Sequence, residues 1–87
     1  MKNPKVAIVT GAGQGIGLAI ARKLLENDSY VILNDLEKSL TEEAVANLSR
    51  IGKGKILGCS GDSANPEVIS ELVGLAIKEF GHIDQVV

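Results

Sequence analysis

Tryptophan is missing from this chain, and cysteine, tyrosine and phenylalanine occur once each, as Cys59, Tyr30 and Phe80. A core without aromatic bulk must be filled by Val, Ile, Leu and Ala, which suits strands covered by helices on both faces. A lone thiol can neither form an internal bridge nor join others in a zinc ligand set, and the chain reads as a resident of a reducing compartment, the cytoplasm. Basic residues are few and scattered, nine against eleven acidic ones for a formal charge of −2, so a nucleic-acid role has no electrostatic support. No apolar run approaches the roughly 20 residues that span a bilayer, and Val6–Val9 is too short for the core of an export signal. The 87 residues make one small domain. A domain of that size buries only about 60–65% of its unfolded surface.

What the chain does have is alternation. Lys5–Thr10 is a continuous small-apolar run ending at Gly11, short enough for a strand buried on both faces. From Gly15 to about Asn27 the residues Ile16, Ala19, Ile20 and Leu24 recur at helical spacing. Tyr30–Asn34 reads as a second strand. Ser39 and Glu42 form a capping box for a helix over Leu40–Arg50, with Leu40, Ala44, Val45 and Leu48 inward and Gly52 as its left-handed stop. Lys55–Ser60 reads as a third strand, weakened by Gly58. Asn65-Pro66-Glu67 has the cap, first-turn proline and first-turn acid of a third helix, running to Phe80 with Val68, Leu72, Val73, Ala76 and Ile77 inward. Gly81 closes it, and Ile83–Val87 starts a fourth strand.

Strands alternating with helices of this length imply a parallel sheet with right-handed crossovers. The first two helices then share one face and the third crosses to the other, giving the strand order 3-2-1-4 in an α/β, Rossmann-like sheet that breaks off after strand four.

Gly11, Gly13, Gly15 and Gly17 crowd the junction between the first strand and the first helix. Glycine there leaves a surface without Cβ atoms on which a diphosphate can approach main-chain N–H groups, and the helix offers its free N-terminal amides and the positive end of its dipole. Asp35 lies eighteen residues beyond Gly17, at the tip of the second strand. A carboxylate there accepts the ribose hydroxyls of an adenosine and repels a 2′-phosphate; with Leu36 following in place of Arg or Lys, and no cation in the turn, NAD is the expected cofactor rather than NADP. Asp62 and Ser63 follow the third strand at the same sheet edge, placed to hydrogen-bond an adenine ring, although an aspartate that merely stabilises its own turn fits equally well. His82 and Tyr30 fall at the opposite end of the strands. Cys59 sits within an apolar strand as a small hydrophobe. No acid–base pair, triad or metal-ligand cluster converges, so no catalytic residue and no metal ligand is assigned.

Thr10-Gly11-Ala12-Gly13-Gln14-Gly15-Ile16-Gly17, with Asp35, Asp62-Ser63 and Gly81-His82-Ile83-Asp84, resembles the short-chain dehydrogenase/reductase family over the whole length given. The resemblance implies that Gly11, Gln14, Gly15 and Ile16 line the diphosphate, that Asp35 and Leu36 receive the adenosine ribose, that Asp62 and Ser63 lie near adenine, and that Asp84 steadies the sheet. It also implies a downstream Ser and Tyr-x-x-x-Lys pair. Neither is here: the only tyrosine is Tyr30, and the fourth residue beyond it is Asn34. The expectation is a partial dinucleotide-binding domain over residues 1–87, the NAD-binding part of an oxidoreductase for an alcohol or carbonyl substrate, inactive by itself. The alternative is a stand-alone nucleotide-binding or structural module that pairs with another chain. Under either reading the apolar edge of strand four invites a second copy or a complementing chain.

Overall fold

The computed structural model describes residues 4–87. Its elements alternate as β1 (Val6–Val9), α1 (Gly15–Glu26), β2 (Tyr30–Leu33), α2 (Lys38–Leu48), β3 (Ile56–Gly58), α3 (Pro66–Phe80) and β4 (Gln85–Val86). All pairings are parallel, and the order across the sheet is β3-β2-β1-β4, as the crossover argument requires.

The central strands are apolar without interruption because both of their faces are covered. Val9, Val31 and Leu33 point to the face packed by Ala21 and Leu25 of α1 and Ala44 and Leu48 of α2. Val6, Ile8 and Ile32 point the other way, onto Leu72 and Ala76 of α3. Each such large aliphatic side chain, fully buried, contributes about 1.5–3 kcal/mol. The single tyrosine and phenylalanine meet at the rim of the α3 face, with ring centroids 4.9 Å apart.

Four expectations are corrected. The inward stripe of α1 is carried by Ala21 and Leu25, with Ile20 and Leu24 at its margin; Ala19 faces solvent, and Ile16 is 81% exposed because the first turn of the helix projects past the end of the strands. On α3, Leu72 and Ala76 form the core contact, while Val73 and Ile77 remain 38% and 49% exposed. There is no capping box at Ser39. The helix has already begun at Lys38 with Glu37 as its cap residue, because Asp35 Oδ1 accepts the Glu37 N–H at 3.1 Å and turns the chain into the helix early. Likewise α2 ends on Ser49 in a right-handed conformation, and Gly52, although left-handed, lies in the following loop pressed against the carbonyl of Leu25.

The third helix begins as its sequence predicts: the Asn65 side chain accepts the Glu67 N–H at 2.9 Å, Pro66 occupies the first turn, and Gly81 ends the helix in the left-handed conformation. Asp84 fastens the opposite end of the sheet. Its Oδ2 accepts the Val6 N–H at 2.7 Å, and its own N–H donates to the Val6 carbonyl at 2.8 Å. Acceptance of that amide, together with the neighbouring His82 and Lys5, holds the Asp84 carboxyl below its usual range, against a smaller opposing effect of desolvation.

Candidate functional site

The four glycines of the turn divide into two kinds. Gly11 and Gly15 have φ of +61° and +65°, which L side chains rarely adopt, and a Cβ on either would meet nothing within 4 Å. They shape the backbone and leave open space beside it. Gly13 and Gly17 are instead close-approach positions: a Cβ on Gly13 would lie 2.8 Å from Asp35 Cγ and 2.9 Å from Leu40 Cβ, and one on Gly17 would lie 2.6 Å from the Gly11 carbonyl oxygen.

Gln14, extended at φ −160°, caps α1 without a side-chain hydrogen bond, and the first turn of the helix carries no acidic residue. The N–H groups of Gly15, Ile16 and Gly17, in the first turn, therefore have no acceptor within the helix, and the positive end of a twelve-residue helix lies behind them. That is the donor set a diphosphate needs.

Asp35 comes to the same place. Its Oδ2 accepts the Gly13 N–H at 2.9 Å, so a residue 22 positions away closes over the turn. Its Oδ1 is held by Glu37 N–H, and the residue is 9% exposed. A carboxylate has about four lone-pair positions, so two amides fix its orientation and leave capacity for two hydroxyl donors. Beside it, Leu36 is 69% exposed, and Ile16 projects from the other side of the turn.

The loop after β3 is drawn to this edge by main-chain bonds: Cys59 N–H to Leu33 O at 3.0 Å and Gly61 N–H to Asp35 O at 2.9 Å. Asp62 and Ser63 follow directly and are exposed. Asp62 also stabilises its own turn, with Oδ1 accepting Ala64 N–H at 2.9 Å, so one of its oxygens serves the loop while the side chain stays accessible. All ten residues singled out from the sequence thus lie on the glycine turn, the tip of β2 or the β3–α3 loop, at one end of the sheet.

Three residues at this end were given no role from the sequence. Asn34, 1% exposed, donates its side-chain amide to the carbonyls of Cys59 at 2.9 Å and Gly61 at 3.1 Å. Thr41, buried, donates to Glu37 O at 2.9 Å. Thr10 donates both its N–H and its hydroxyl to Val87 O, each at 2.9 Å, tying the entrance of the turn to the end of β4. A polar side chain ending an otherwise apolar strand was the available signal for Asn34.

Two clefts flank this region. The larger, about 770 Å³, starts at Gly13, Gln14 and Gly15 and runs between α1 and α2 over Leu18, Ala44 and Leu48; neither Asp35 nor Asp62 lines it. Among the described residues no three His, Cys, Asp or Glu side chains gather to hold a metal ion, and no helix is long and apolar enough to cross a membrane. Cys59 is half-buried, and its thiol is pushed up by desolvation and, less, by the charge of Glu71.

Comparison with known proteins decides the family. Residues 5–87 match the family described as short chain dehydrogenase. The chain belongs to the short-chain dehydrogenase family. It is 38% identical over 80 residues to dehydrogenase/reductase SDR family member 4 of Caenorhabditis elegans, an alignment covering 92% of this chain and 31% of that one. It is 39% identical over 82 residues to the short-chain reductase NovJ of Streptomyces niveus, covering 94% and 31%. Among solved structures, L-sorbose reductase from Gluconobacter frateurii, complexed with NADPH and L-sorbose, superposes with a TM-score of 0.89 at 30% identity over 97% of this chain and 32% of that one. A short-chain dehydrogenase/reductase from Burkholderia phymatum, in complex with NAD, gives 0.88 at 27% identity over 97% and 30%. The chain spans about a third of the length of the relatives it matches. It carries the glycine-rich turn between β1 and α1, and the Tyr-x-x-x-Lys pair of a short-chain dehydrogenase is not among its 87 residues.

Proposed function

We propose that these residues form the NAD-binding part of a short-chain oxidoreductase that acts on an alcohol or a carbonyl compound, and that the 87 residues alone do not catalyse the reaction. The observation that carries the reading is the Asp35 carboxylate 2.9 Å from the Gly13 amide, which puts a fixed negative charge beside backbone donors suited to a diphosphate. In this reading Gly11, Gly13, Gln14, Gly15, Ile16 and Gly17 receive the diphosphate, Asp35 and Leu36 the adenosine ribose, and Asp62 and Ser63 the adenine.

The relatives carry NADPH in one complex and NAD in another, so the preference must be argued from this chain. A 2′-phosphate would meet the Asp35 charge with no cation in the turn, and that favours NAD. The nicotinamide, when bound, gives or takes a hydride; what this chain contributes is orientation of the nucleotide by amides and by one carboxylate.

The lone half-buried Cys59 fits a cytoplasmic protein. The outer edge of β4, paired with β1 on one side only, would accept a strand from a second copy or from a complementing chain.

Amide resonances followed during addition of ADP-ribose test the site. The reading expects shifts concentrated at Gly11–Gly17, Asp35 and Asp62–Ser63; shifts confined to Leu18, Ala44, Leu48 and Ile51, deeper in the α1–α2 cleft, would place the ligand elsewhere and refute it.

A further inference from the structure

The three ligand-facing segments meet at one residue that faces none of the ligand. Asn34 lies between the end of β2 and Asp35 and is 1% exposed. Its main-chain carbonyl accepts the Ala12 N–H at 2.8 Å, holding the middle of the glycine turn. Its side-chain nitrogen gives both protons to the loop after β3, one to Cys59 O at 2.9 Å and one to Gly61 O at 3.1 Å. Gly61, at φ +147°, is where that loop bends before Asp62, and a Cβ there would press on Val68 at 3.0 Å. The loop is therefore held from the helix side by packing and from the strand side by Asn34.

We infer that Asn34 is the positioning residue that sets the Asp62–Ser63 loop against the glycine turn, and so governs how selectively the site recognises an adenine base. The chemistry explains why an amide is needed. Two carbonyl acceptors converge on one atom, and only a nitrogen with two protons satisfies both; a carboxylate would offer no donor and would face two carbonyl dipoles, and a hydroxyl would satisfy one. Glutamine has the same head group but is one methylene too long for a fully packed position. Asn34 touches no part of a bound nucleotide in this account. It acts through residues 61–63, while its main-chain bond to Ala12 survives any side-chain change.

This inference rests on the proposed adenine position at Asp62 and Ser63, and the experiment separates the two. ADP and IDP share the diphosphate and ribose and differ at the base, where the amino group of adenine is replaced by a carbonyl oxygen. Their affinities for the protein are compared by calorimetry in the wild type, in Asn34→Ser and in Asn34→Asp. The wild type should prefer ADP; Asn34→Ser should lose part of that preference and Asn34→Asp most of it, with ADP weakened about tenfold and IDP changed little. A wild type that prefers ADP, with variants that keep the same ratio, would overturn the role of Asn34 and leave the site intact. A wild type without preference would overturn the adenine position and the inference together. The unsubstituted protein supplies a readout that does not depend on the variants folding: the Asn34 side-chain amide protons should shift on addition of ADP and stay still with inorganic pyrophosphate, and an identical response to both would contradict the inference.

Discussion

Asp35 accepts the amide proton of Gly13 at 2.9 Å, and that contact exists only because residue 13 has no side chain. Two positions far apart in sequence are thereby made one feature: a rigid turn with a carboxylate fixed over it. The consequences for substitution differ from glycine to glycine.

Gly17→Ala should be the most damaging of the turn substitutions, because its new methyl would meet the main chain of Gly11 and Ala12, which cannot rotate away. A loss of about 1–3 kcal/mol is expected in urea unfolding. Gly13→Ala pushes on the Asp35 and Leu40 side chains instead, and should weaken nucleotide binding more than it weakens the fold. Gly74→Ala, inside α3 with nothing within 4 Å, should stabilise by about 0.5–1 kcal/mol.

The core account is tested at Leu72, 1% exposed and central to the α3 face. Leu72→Ala should cost about 2–5 kcal/mol by equilibrium unfolding, through lost burial and the cavity left behind. Ile77→Ala, on the exposed stripe of the same helix, should change stability far less.

Asp84 gives the fold an acid-side dependence. Its carboxyl is held below the ordinary value of 3.8, chiefly by the Val6 amide, so the folded state favours its ionised form. The resulting contribution is fully present above the unfolded value and disappears as the pH falls through the lower folded value. Asp84→Asn should therefore narrow the difference in urea midpoint between neutral and strongly acidic solution. An unchanged difference would show that the Val6 contact does not set it.

Cys59 should alkylate slowly. Desolvation and the Glu71 charge both disfavour its thiolate, so iodoacetamide at neutral pH should modify it more slowly than it modifies glutathione.

Much of this fold was legible because its strands are buried on both faces. Val6–Val9 and Tyr30–Leu33 announce themselves as unbroken apolar runs, and right-handed crossovers then leave few arrangements of the sheet. The helix ends divided by mechanism. Asn65-Pro66-Glu67 signals locally and was readable, whereas α2 is started by one oxygen of Asp35 while its other oxygen holds the glycine turn, a tertiary fact that the Ser39 pattern obscured. Helix faces were harder. Ile16 fits a helical stripe by spacing yet lies beyond the end of the sheet, and spacing carries no information about where a sheet stops. In the candidate site the glycines and Asp35 were visible by residue type; Asn34 offered only a polar side chain at the end of an apolar run, and Thr41 offered nothing, because the partners of both are carbonyl groups, which every residue has.

The most direct test of the central claim is a calorimetric comparison of NAD and NADP on the wild type and on Asp35→Ser. The account predicts that the wild type binds NAD at least about tenfold tighter than NADP, and that removing the carboxylate weakens NAD and strengthens NADP until the gap closes. Affinities for both nucleotides that are equal in the wild type and unmoved by the substitution would contradict it.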